Sequence, residues 1–161
     1  MKKIIALILA LVLVFSFAGC TGNEETKEPE TTNINVEDVY ASIENAVELN
    51  EMTILGEDMI LNLLGIEAEK TVQLKVAEAA DGLLADEIWL VEAVDEAAAK
   101  EIVDLANTRI ELQAAASKTY SPEQHEIVNK AQIITNGNFV AFIVSPSVDD
   151  IVAIVNEAFG K

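Results

Sequence analysis

QIITNGNFVAFIVS, residues 132–145, decides the fold. Two runs rich in β-branched and aromatic residues, Gln132 to Thr135 and Asn138 to Ser145, flank Asn136-Gly137. That pair is preferred in a two-residue type I′ turn, so the stretch predicts a β-hairpin. The second run is apolar at consecutive positions from Phe139 to Val144. Such a strand is either central and covered on both sides, or covered on one side with a partner at the other.

Working outward, Ser147 is placed to cap a helix over Val148 to Phe159, with Ile151, Ile154, Val155 and Ala158 on its inner face. Upstream, Ser121-Pro122-Glu123-Gln124 has a cap residue, a proline at the first helical position and a glutamine able to complete a capping box; the short helix it opens ends near Lys130. Asp95 caps a longer helix reaching about Ser117, whose apolar arc runs through Ala98, Ile102, Leu105, Ala106, Ile110 and Leu112. Before it, Thr71 to Val76 alternates, placing Val72, Leu74 and Val76 on one strand face, and Glu87 to Val94 reads as the returning strand. Asn35 opens a first helix from Val36 to about Leu49, and Glu57 to Leu64 forms a second, with Gly65 just past its end. The expected architecture is an α+β domain over residues 36–161. It has a mostly antiparallel four-stranded sheet built from two strand-strand-helix units, helices mainly on one face, and a preceding helical pair.

The chain before that domain is of a different kind. Lys2 and Lys3, an apolar run from Ile4 to Phe15 and the small-residue segment up to Gly19 have the three parts of an export signal. The apolar run is shorter than the ~20 residues of a permanent span, and the polar Thr21 to Glu25 cannot extend it. Phe17-Ala18-Gly19-Cys20 resembles the lipobox of bacterial lipoproteins, with Phe17 where leucine is usual. That resemblance implies cleavage after Gly19 and a diacylglyceryl thioether on Cys20, the only cysteine, so the expected first partner is membrane lipid. Residues 20–35 then read as an acidic spacer too poor in apolar residues to fold.

The chain carries 28 acidic and 10 basic residues, a net −18; losing residues 1–19 removes two lysines and leaves eight against 28, a net −20. Such a field repels nucleic acid and anionic headgroups and favours cationic partners. Catalytic residue types are few. His125 stands on a short polar helix between Glu123 and Glu126 and reads as solvated, and no Gly-x-Ser-x-Gly elbow or phosphate-cradling glycine loop occurs. Nothing in the residues calls for a cofactor. Asp149-Asp150 lacks the alternating ligands of a calcium loop and reads as helix-start charge.

Arg109, the only arginine, falls inside the apolar arc of its helix, and Gln113 follows one turn later. A guanidinium there needs an acceptor. Glu92 is the preferred partner and Glu87 the second. Two readings stay open: a structural polar pair, or a cleft in which Arg109 and Gln113 bind a carboxylate or other anion.

The order of Glu51-Met52, Gly65-Ile66, the strand from Glu87-Ile88 to Glu92, Arg109 with Gln113, and Gly137-Asn138-Phe139-Val140 resembles a family of small lipid-anchored proteins of Gram-positive anaerobes that share a domain of unknown function. The resemblance spans about Val36 to Phe159. It differs at Leu64 and Phe139, where the family pattern has tyrosine. It implies a surface lipoprotein without an assigned activity. The expected function is therefore a noncatalytic module that binds an envelope protein or a small ligand at the membrane. The alternatives are a small carboxylate-dependent envelope hydrolase and, from charge alone, a divalent-cation buffer.

Overall fold

The computed structural model describes residues 34–161. The expected signal segment, the lipidated Cys20 and the spacer as far as residue 33 lie outside the described residues. One antiparallel sheet carries the fold, built from β1 (Met52–Ile54), β2 (Thr71–Ala79), β3 (Glu87–Ala93), β4 (Gln132–Asn136) and β5 (Phe139–Val144), in the order β1-β2-β3-β5-β4. The helices are α1 (Val36–Ala46), α2 (Glu57–Leu64), α3 (Glu96–Tyr120), α4 (Pro122–Val128) and α5 (Val148–Ala158). The two strand-strand-helix units are present, joined where β3 pairs with β5.

The sheet has five strands where four were expected. The extra one, β1, is three residues long and pairs Met52, Thr53 and Ile54 with Ala79, Glu78 and Ala77. A run that short has no alternation to read, and its extended shape is imposed by the edge of β2.

The helices divide between both faces, with α2, α3 and α4 on one and α1 and α5 on the other, so the face expected to carry most of them is not the only one covered. Trp89, Val91, Val140, Phe142 and Val144 pack with Ile60 and Leu64 of α2, Ile102 and Ala106 of α3 and Val128 of α4. Ile88, Leu90, Ala141 and Ile143 point the other way, onto Val39, Tyr40 and Ile43 of α1 and Ile151 and Val155 of α5. The cause lies in β5 and β3: apolar at every position from Val140 to Val144 and from Ile88 to Val91, they must be covered twice. Of the two readings left open for β5, cover on both sides is the one realised. Trp89 stands opposite Phe142 in the register, their ring centroids 4.7 Å apart and nearly edge-on.

Local signals held with small displacements. Asn35 accepts from the amides of Glu37 and Asp38, Asp95 accepts from Ala98 N–H, and Gly65 closes α2 at φ +74°. The hairpin loop is Gly137-Asn138, one residue later than expected, because Asn136 pairs with Phe139. Gly137 alone has positive φ there, +55°, the pattern of a type II′ loop with glycine first. Helix α3 continues to Tyr120, and Ser121 both ends it and caps α4. Only half of the expected capping box forms: Ser121 Oγ accepts from Gln124 N–H at 3.3 Å, but Gln124 turns its own Oε1 to the amide of Ala85 at 2.8 Å. Ser147 begins α5 without a side-chain cap bond. On β2 only Val76 of the expected inner face is fully buried; an irregularity between Thr71 and Gln73 turns Val72 out to 62 % exposure.

Gln124 and Ala85 are both buried, so the bond between them has no water to replace it. Gln124→Ala is expected to lower the unfolding free energy by about 1–3 kcal/mol in chemical denaturation, more than Gln132→Ala on the exposed β4 surface.

Candidate functional site

Glu87, the first residue of β3, shares a strand face with Trp89 and is 1 % exposed. Helix α3 lies over that face and brings Arg109 and Gln113, one turn apart, down onto the carboxylate. Arg109 Nε donates to Oε2 at 2.8 Å and Oε1 at 3.2 Å, and its Nη2 lies 2.8 Å from Oε2. Gln113 Nε2 donates to Oε2 at 2.6 Å, and Trp89 Nε1 donates to Oε1 at 2.6 Å. Every group hydrogen-bonded to the Glu87 carboxylate is a donor, an arrangement that suits its ionised form. Burial pushes the Glu87 pKa above its ordinary 4.5; the charge and hydrogen bonds of Arg109 and the bond from Trp89 oppose that rise, and Glu78 adds to it. Arg109 keeps about a quarter of its side chain exposed, its stem lying over the core.

Glu92 is not the partner of Arg109, which corrects the preferred assignment. It alternates with Ile88 and Leu90 and so lies on the face away from α3. There it accepts from Gln73 Nε2 at 2.5 Å. That amide also donates to Ile34 O at 2.9 Å, while Gln73 Oε1 accepts from Val36 N–H at 3.0 Å. The expected trio is thus divided: Arg109 and Gln113 meet at Glu87, and Glu92 helps to hold the start of α1. The parity of β3 and the inward Trp89 carried the signal for Glu87, but only once α3 was known to cover Trp89.

His125 sits at the α3–α4 corner, half-buried, with Nδ1 3.4 Å from Ser117 Oγ. The serine hydroxyl donates to Gln113 O at 2.7 Å and is 1 % exposed, which leaves it no route to a substrate. Asp86 accepts from Asn50 at 3.1 Å and has its pKa raised by burial, while Tyr40 is pushed up to about 12 by burial and the nearby Glu44. Asp149 and Asp150 occupy the first turn of α5. Among the described residues, no group of three or more His, Cys, Asp or Glu side chains is placed to hold a metal ion.

Two surface clefts lie on the α3 side. One, about 330 Å³, runs between the end of α2 and α3 over Ile66, Ile102 and Leu105, with Lys70 at its rim 2.5 Å from Glu101 and 3.6 Å from Glu67. The other, about 310 Å³, lies between the first turn of α2 and the first half of β2, over Leu55, Ile60 and Leu74.

Residues 45–145 match the family described as Domain of unknown function (DUF4358). The match covers the whole sheet and the Glu87–Arg109–Gln113 cluster, and stops short of α5. No curated protein and no solved structure matches the chain.

Because Arg109 neutralises a buried acid, Arg109→Ala is expected to destabilise the fold by about 3–5 kcal/mol at neutral pH. Glu87 already has a folded pKa above its unfolded value, so its contribution is most favourable below pH 4.5 and declines as pH rises through the folded value. Removing Arg109 raises that folded value further. The deficit of Arg109→Ala, measured by urea denaturation across the acidic range, should therefore shrink as pH falls; a deficit independent of pH contradicts this pairing.

Proposed function

We propose that this chain, which belongs to the DUF4358 family, is a noncatalytic binding module held at the outer face of the cytoplasmic membrane by lipid on Cys20. One observation carries the binding half of the reading. The cluster richest in chemistry, Glu87 with Arg109, Gln113 and Trp89, is closed on itself inside the core, where it pins α3 to the sheet. A hydrolase working through carboxylates needs two acids converging on an accessible bond, whereas Glu87 is buried and its carboxylate is taken up by hydrogen bonds from Arg109, Gln113 and Trp89. What the fold presents outward is apolar clefts beside strongly acidic surface, a combination suited to recognition of a cationic, partly apolar partner.

The anchoring half rests on residues 1–20: the basic start, the short apolar run, and the small residues before Cys20. Among the described residues no helix is long and apolar enough to cross a membrane, and in this reading attachment falls to the lipid. Each acyl methylene contributes about 0.8 kcal/mol on burial, so two long chains suffice for stable retention.

Expression of the full chain in a lipoprotein-processing host is expected to place it in the membrane fraction, with a mature amino terminus at Cys20 carrying the mass of diacylglycerol. Cys20→Ser should move the protein to the soluble fraction. An unmodified thiol or a retained leader on the wild-type chain overturns the anchor.

A further inference from the structure

The cleft between the end of α2 and α3 has an apolar floor of buried Ile66 and Ile102 with half-buried Leu105 beside them. A Cβ at Gly65 would touch Leu105 Cδ2 at 3.5 Å, so glycine leaves that face of Leu105 uncovered. The volume of about 330 Å³ stands at the small end of the ~300–1,000 Å³ typical of small-molecule sites. On α3, Glu101, Asp104, Leu105 and Thr108 follow at helical spacings of three and four, which gather them into one stripe along the cleft. Glu67 and Lys70 face them from the segment after α2.

The polar groups of this rim are unevenly used. Lys70, the one cation in the lining, is already engaged, since it donates to Glu101 and lies 3.6 Å from Glu67. Thr108 Oγ gives its proton to Asp104 O at 2.9 Å, which leaves the hydroxyl oxygen free only to accept. The Asp104 carboxylate makes no ion pair among the described residues. With Glu67, Glu101 and Asp104 against Lys70, the lining carries a net −2. We propose that this cleft binds a small organic amine, whose ammonium donates to the Asp104 carboxylate and Thr108 Oγ while its apolar body covers Leu105, Ile66 and Ile102. A small anion is the wrong ligand, because it would have to draw Lys70 from Glu101 and sit among three carboxylates. A neutral apolar molecule would fill the floor and leave the accepting rim unused. The proposal rests on the reading of the chain as a binding module and names one ligand class and its site.

The test uses the full chain in micelles of an uncharged detergent, with isoamylamine as the probe and chemical shifts followed residue by residue. At millimolar concentration the amine should shift the signals of Ile66, Ile102 and Leu105, and isoamyl alcohol and isovalerate, of similar shape, should shift them far less. Asp104→Asn, at an exposed position, should keep the melting temperature and weaken amine binding by about tenfold. Lys70→Gln should act in the opposite direction and tighten binding, because Glu67 and Glu101 lose their internal cation. No shift at Leu105, an equal response to the alcohol, shifts spread evenly over the acidic surface, or an affinity unchanged in both variants overturns the site. Crosslinking of the chain to an envelope protein without any amine response also overturns the site while leaving the module reading intact. An amine that binds at Leu105 and is then chemically altered supports the site and overturns the noncatalytic reading.

Discussion

Burial of β3 and β5 on both faces is the constraint from which the rest of this architecture follows. Two adjacent central strands with apolar side chains pointing both ways cannot leave either face to water. The chain meets that demand by dividing its helices, α1 and α5 to one side and α2, α3 and α4 to the other. A doubly apolar strand would have argued for a partner at one face, but here both faces are already covered by the chain's own helices.

Against that apolar background Glu87 is costly. A carboxylate at 1 % exposure is tolerable only because a guanidinium, an indole and an amide converge on it. The cluster favours one placement of α3, since sliding the helix by a residue would carry Arg109 and Gln113 away together. Buried ionic groups often add less to stability than apolar replacements would, and what this one provides is a directional tie between α3 and the start of β3. Both Arg109 and Gln113 lie inside residues 45–145, the portion shared with the family.

Much of this was legible from local chemistry. Asn35, Asp95, Gly65 and the Ser121-Pro122 pair act where their side chains or backbone preferences place them, since caps and turns depend on neighbours a few residues away. What could not be read were decisions made at long range. β1 is extended because β2 offers an edge, Gln124 turns its side chain from its own helix to Ala85, and Asn136 joins the ladder instead of the turn with its side-chain amide on Phe159 O. The Arg109 partner depended on which side of the sheet α3 would choose. Alternation along β3 correctly separated Glu87 from Glu92, but no periodicity says which face a later helix will cover.

Gln73 joins the leading end of the domain to the sheet at a single side chain. Its amide holds Ile34 O and Val36 N–H at once and donates to Glu92, so the first described residues are tied to the second strand of the sheet. With buried Ile34 and Val36 beneath it, displacing that one amide would release both backbone bonds together and uncover the start of α1.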